Sequence, residues 1–222
     1  MDNGRTALIL GSSGLIGSHL TEQLLKNPDY KRITVLVRKP TNKEHLKLQE
    51  VVVDFDDLVN FREYFQVDEM YICLGTTRKK AGSKANFKKV DYDYGVEATH
   101  IAKEQGVKKL AVVSAIGSNS KSRFFYNQVK GKMEEAVAEV DISATYLFRP
   151  SLLLGEREEV RTGEKVGELL GKMIQPLLKG RLEKYQSIEG KTVAKAMIAF
   201  MKKSRSGVHI VESNLIQKIG SI

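Results

Sequence analysis

Of the eight tyrosines in this 222-residue chain, only Tyr126 has a lysine four positions on, in "FFYNQVKGKMEE". On a helix that spacing places Tyr126 and Lys130 on one face, one turn apart. A free phenol ionises near pH ~10 and transfers protons poorly at neutral pH, but a fixed ammonium beside it favours the phenolate. The pair is therefore expected to be an acid–base couple in which Lys130 lowers the pKa of Tyr126. A carbonyl oxygen that gains negative charge also needs a hydrogen-bond donor. Ser114, at the end of an apolar run before Tyr126, is the first choice, and Ser118 on the following loop is the alternative.

A second chemical pattern lies near the N-terminus, where "LILGSSGLIGSHLTEQLL" sets Gly11, Gly14 and Gly17 between an apolar run and an amphipathic stretch. A strand that turns sharply into a helix often needs positive φ, and a backbone that touches pyrophosphate has no room for a Cβ. The helix that follows aims free N–H groups and a partial positive charge at the turn. Leu15, Ile16, Leu20, Leu24 and Leu25 give that helix an apolar face. The turn, Gly17 included, is expected to bind a dinucleotide.

The identity of that dinucleotide depends on the end of the second strand, "VLVRKP". An acidic residue there grips the ribose hydroxyls of NAD, whereas an arginine accommodates an extra phosphate. No carboxylate occurs from Thr34 to Asn42, and Arg38 and Lys39 occupy the place. A guanidinium can give phosphate two parallel donors, so NADP(H) is the expected cofactor. Asp54 and Phe55, after the third strand, are expected to border the adenine ring or to lie in a solvated loop. Asp91 in "VDYDYG" is read as an anchor for its own helix. His19, His45, His100 and His209 are scattered and give no metal-binding pattern.

These residues need a frame. Short, mostly continuous apolar runs at 6–10, 32–37, 49–55, 69–75, 108–114 and 144–150 read as buried strands. Helix-like segments at 15–26, 57–65, 86–105 and 126–139 alternate with them, the pattern of a doubly wound parallel sheet. Beyond Pro150, Val166, Leu169, Leu170, Met173, Ile174, Leu177 and Leu178 recur at helical spacing. A helix in "KTVAKAMIAFMKKS" and a strand-like "GVHIVES" follow. The expected organisation is α/β, one domain over 1–222, with a Rossmann-type core to residue 155 and lid helices with a last strand after it.

Composition narrows the classes further. The chain is 41% hydrophobic with a formal charge of +9, but its lysines and arginines are dispersed, without the aromatic-interleaved basic motif of RNA binders. No specific nucleic-acid partner is expected. One cysteine, Cys73, rules out an intrachain disulfide and a multi-cysteine zinc site. Strand-like sequence begins within five residues and no apolar run nears membrane-spanning length, so a cytoplasmic location without a membrane partner is expected.

The glycine triplet after strand one, the Tyr-x-x-x-Lys helix after strand five and the serine ending that strand resemble the extended or atypical branch of the short-chain dehydrogenase/reductase superfamily. Within it, "CLGTTRKKAG", "VDYDYG", "FFYNQVKGKMEE" and "FRPSLLLGEREEVRTGE" are similar to the Tat-interacting-protein oxidoreductase group. The resemblance implies that Gly11, Ser12, Ser13, Gly14, Leu15 and Ile16 bind the pyrophosphate, and Arg38 and Lys39 the 2′-phosphate. It implies that Leu74 and Gly75 line the ribose and nicotinamide side, that Leu153 meets the carboxamide and that Arg161 closes over the cofactor. The group's usual Ser-Ser at the end of strand five is "SAIG" here, which leaves Ser114 alone. The function implied is hydride exchange between NADP(H) and an unidentified carbonyl or alcohol substrate. The alternatives are an NADP(H)-sensing regulator that binds a protein partner or a second copy, and a nucleotide-retaining epimerase or dehydratase.

Overall fold

The computed structural model of the chain describes residues 4–154, 183, 185–203 and 205–221. Seven parallel strands form the central sheet: β1 (Arg5–Leu10), β2 (Tyr30–Val37), β3 (Leu48–Val52), β4 (Glu69–Ile72), β5 (Lys109–Val113), β6 (Ala144–Arg149) and β9 (Gly207–Glu212), in the order β3-β2-β1-β4-β5-β6-β9. Two-residue strands β7 (Leu153–Leu154) and β8 (Ile188–Glu189) pair separately. The chain is thus a single Rossmann-like α/β domain, as its alternating apolar runs and helices predict. The strand β9, from the C-terminal portion, pairs with β6 inside the main sheet from Ala144↔Gly207 to Arg149↔Glu212.

Continuous apolar strands arise because both faces are covered. Along β1, Ala7 and Ile9 join one core while Leu8 and Leu10 join the other. The first core takes its helical share from α1 (Leu15–Lys26), α6 (Gly190–Met201) and α7 (Ser213–Gly220), through residues such as Leu20, Met197 and Ile216. The second takes it from α4 (Tyr94–Glu104) and α5 (Phe125–Glu139), through Ala98, Ile101, Met133 and Val137. Two short helices, α2 (Arg78–Ala81) and α3 (Lys84–Lys88), and a π turn at Lys89–Asp93 lead into α4.

At the N-terminal edge of the sheet, Glu69 ties three strand starts together. Its carboxylate accepts from Arg5 Nη1 at 2.7 Å, Tyr30 Oη at 2.6 Å and Tyr71 Oη at 3.0 Å. Burial first, then the Glu69 charge, pushes both phenols upward in pKa, so they remain donors. This network lies at the edge opposite the loops that follow the strands.

Two expectations change. The segment 57–65, expected as an α-helix, is part of a kinked 3-10 stretch, Phe55–Phe65, with non-helical backbone at Asp57 and Phe61. The strand-like "GVHIVES" is followed by a further helix, α7. The apolar stripe from Val166 to Leu178 lies outside the described residues.

Candidate active site

In a parallel sheet every strand ends at the same edge, so the loops after β1, β2, β4 and β5 gather there. The chain direction reverses its walk across the sheet between β1 and β4, the place where open α/β sheets leave a crevice. Gly11 sits at that junction with φ +86°, and a Cβ on it would fall 2.6 Å from the carbonyl of Cys73. A Cβ on Gly17 would fall 2.0 Å from Gly11 O, so helix and turn can pack only without side chains there. Ser12, Leu15 and Ile16 are buried, whereas Ser13 and Gly14 face solvent. The N-terminus of α1 has no side-chain cap and no acidic residue in its first turn. A cradle that a Cβ would fill and an uncapped, positively polarised helix end fit a pyrophosphate.

Arg38 and Lys39 directly follow β2 and are exposed; neither makes an ion pair or side-chain hydrogen bond among the described residues. Asp54, exposed after β3, accepts a hydrogen bond from the Asp56 amide at 2.9 Å. Phe55 is turned into the core, 5% exposed, with its ring 5.4 Å from that of Tyr94. Leu74 is half-buried and Gly75 exposed on the loop after β4, and Leu153 packs half-buried against the core. Arg161 lies outside the described residues. Burial pushes the Cys73 thiol up to about 12, which keeps it protonated at the crevice.

Tyr126 and Lys130 do lie on α5, one turn apart, but their surroundings differ sharply. Tyr126 is 40% exposed, its ring against Phe87 at 5.8 Å, and its hydroxyl has no hydrogen-bond partner among the described residues. Lys130 is 3% exposed. Its Nζ lies 2.9 Å from Asp91 Oδ1 and 3.5 Å from Val113 O, the carbonyl that precedes Ser114. Burial pulls the Lys130 pKa down, but Asp91 chiefly, with Tyr126 and Glu134, outweighs that and leaves it raised. Removing one member of so buried a pair costs about 3–5 kcal/mol, because the other charge is stranded.

Burial, with a smaller part from Asp91, corrects the expectation for Tyr126. Desolvation raises its pKa, Lys130 lowers it and Asp91 raises it again, so the net shift is upward rather than downward. The phenol keeps its proton at neutral pH. Asp91, expected to anchor its own helix, instead reaches other elements: besides Lys130, its Oδ2 accepts from the Thr76 amide at 2.8 Å, across on the loop after β4.

The two candidate serines prove to be one unit. Ser114 Oγ and Ser118 Oγ are 2.9 Å apart, and Ser118 donates to Ala115 O at 2.7 Å. Ser118 has one proton and spends it on that carbonyl, so Ser114 is the donor of the pair. The Ser114 proton is the one free to turn to a new acceptor. The loop carrying these serines is strapped to the Tyr126 helix: Asn127 Nδ2 donates to Gly117 O at 2.7 Å, and the Asn119 amide donates to Asn127 O at 3.0 Å. A Cβ on Gly131 would lie 2.2 Å from Asn119 C. Asn127 and Gly131 were not foreseen from the sequence; their only signal is their place between Tyr126 and the end of α5.

Comparison with known proteins agrees with the fold. The NAD(P)H-binding family matches residues 11–204. Protein HTATIP2 of Rattus norvegicus is 31% identical over 97% of this chain and 89% of its own length. Protein FMP52, mitochondrial, of Candida albicans is 32% identical over 91% of this chain and 90% of its own. The ADP-L-glycero-D-manno-heptose-6-epimerase of Helicobacter pylori superposes with a TM-score of 0.70 at 19% identity, over 99% of this chain and 82% of that one, a likeness of fold. The cytoplasmic expectation is corrected here: the relatives from Candida albicans, Scheffersomyces stipitis and Eremothecium gossypii are all named mitochondrial. With a glycine cradle at the strand switch, a family match over most of its length and relatives collinear with it, the chain belongs to the NAD(P)H-binding Rossmann-fold family that includes HTATIP2 and FMP52.

Proposed function

We propose that the protein is an NADP(H)-dependent oxidoreductase acting on a carbonyl or alcohol group. The observation that carries this reading is the Lys130 ammonium held against Val113 O, beside Ser114, with Tyr126 one helical turn away and its hydroxyl free. When bound, the dinucleotide supplies or accepts the hydride. Tyr126 exchanges a proton with the substrate oxygen. Ser114 turns its proton from Ser118 to that oxygen and stabilises its developing charge. Lys130 Nζ has three protons, and Asp91 and Val113 O engage two, which leaves one for a cofactor hydroxyl. The exposed Tyr126 regains its proton from water. Gly11, Ser12, Ser13, Gly14, Leu15, Ile16 and Gly17 cradle the pyrophosphate; Arg38 and Lys39 take the 2′-phosphate; Asp54 borders the adenine, while Phe55, turned into the core, only supports that loop; Leu74, Gly75 and Leu153 line the nicotinamide side.

The test is a panel of aldehydes and ketones assayed by loss of NADPH absorbance, run beside a pulldown with and without NADPH. Turnover of one carbonyl class supports the reading. No turnover together with a partner captured only with NADPH contradicts it in favour of a sensing role.

A further inference from the structure

Asp91 enters the site from the π turn Lys89–Asp93, in which one extra residue is accommodated in the helical ladder. It is a carboxylate only 4% exposed, yet both of its oxygens are used. Oδ1 meets Lys130 Nζ at 2.9 Å and Oδ2 accepts from Thr76 N at 2.8 Å. Gly75, the residue before that amide, packs so that a Cβ on it would lie 3.6 Å from Asp91 Oδ1. One side chain therefore joins three elements: the turn before α4, the loop after β4 and the helix carrying Tyr126.

The geometry points to Asp91 as a positioning residue that clamps the Lys130 ammonium and the Thr76 amide together, and so fixes Lys130 and its charge one helical turn from Tyr126. The clamp is a feature of the chain alone; its meaning for catalysis rests on the oxidoreductase reading. In the reductive direction the substrate C=O π bond breaks, the carbon gains the hydride that NADPH loses, and the oxygen gains the Tyr126 proton. The phenolate then takes a proton from water.

Among the described residues, the charged groups around this pair are few. Lys130 faces Asp91 from the π turn, Tyr126 and Glu134 from its own helix, and the Val113 carbonyl from β5. Glu134 is neutralised by Arg149 on β6, whose Nε donates to Glu134 Oε1 at 2.9 Å. Arg149 Nη1 also donates to Glu212 on β9 at 3.2 Å. Lys84 of α3 is committed to the Phe125 ring, 5.4 Å from its centroid. Asp91 is thus the anion in direct contact with the Lys130 ammonium.

Asp91→Asn isolates the charge, because the amide oxygen can still accept from Thr76 N. Tyrosine and lysine isotope labels, read by NMR in the nucleotide-free protein, follow the pair as pH rises. The wild-type pair should hold both protons past about pH 10, and Asp91→Asn should release the first roughly one pH unit or more lower. Coincident titrations of the two proteins would overturn the proposal. If Asp91→Asn does not fold, the double variant Asp91→Asn/Lys130→Met, which strands no charge, decides. Tyr126 should then ionise within about one unit of wild type. A rise of more than about two units would mean that the Lys130 field is unopposed in the wild type, which contradicts the clamp. Turnover plays no part in this titration, so failure of the oxidoreductase reading and failure of the clamp are told apart.

Discussion

In the proposed function Arg38 and Tyr126 divide the work between recognition and chemistry, and both stand exposed. Arg38 stands exposed at the end of β2, without a carboxylate from Thr34 to Asn42 to oppose a phosphate. Charge-assisted hydrogen bonds are each worth about 1.5–3 kcal/mol, roughly tenfold to a hundredfold in affinity. Arg38→Asp should therefore weaken NADPH by at least that factor, since it adds repulsion to the lost bonds, while NADH binds as well or better. Calorimetric titration of both nucleotides checks this; an unchanged NADPH to NADH ratio would remove Arg38 from the phosphate site. The chemistry at Tyr126 was legible only in part. The Tyr-x-x-x-Lys spacing identified the pair, but the sign of the Tyr126 shift is set by burial, which outweighs Lys130, and is reinforced by Asp91, 35 residues away along the chain on a π turn. Nothing in local spacing reports that.

Glycines that separate elements make a prediction of a different kind. Gly17→Ala drives a Cβ into Gly11 O in the cradle, whereas Gly131→Ala drives one into Asn119 and Ser120 beside the serine loop. Overpacking of this sort costs about 1–3 kcal/mol of stability. Both variants should melt at lower temperature, but Gly17→Ala should lose NADPH affinity as well, and Gly131→Ala should keep most of it. Thermal unfolding with parallel nucleotide titration separates the two; equal loss of affinity in both would mean that the turn and the loop are not independent. The elements themselves were legible because strands buried on both faces have no polar alternation to hide them. The 3-10 stretch at Phe55–Phe65 was not, because three buried residues, Phe55, Leu58 and Phe65, imitate a helical period around a kink. α7, eight residues long, gave too short a pattern to register, and its packing on α6 is tertiary.

Across the whole molecule, a chain of formal charge +9 draws anions in generally, so nucleotide attraction alone does not identify a phosphate site. Nucleotide that binds only the folded state raises stability by about 2.7 kcal/mol at a hundred times its Kd. The melting temperature should thus rise with NADPH, and salt should reduce that rise more for NADPH than for NADH, because one extra phosphate is being screened. Equal salt dependence would reduce the effect to the overall charge of the protein. The account as a whole rests on Tyr126 doing chemistry at a nucleotide site that other residues build. The measurement that tests it most directly compares Tyr126→Phe with wild type for NADPH affinity and for turnover of a carbonyl that wild type reduces. The phenol stands one helical turn from Lys130, on α5, and the proposed phosphate site is the glycine turn before α1. Affinity is therefore predicted to change less than about threefold while turnover falls by 10² or more, about the contribution of a positioned proton donor. Retained turnover, or affinity and turnover lost together, would contradict it.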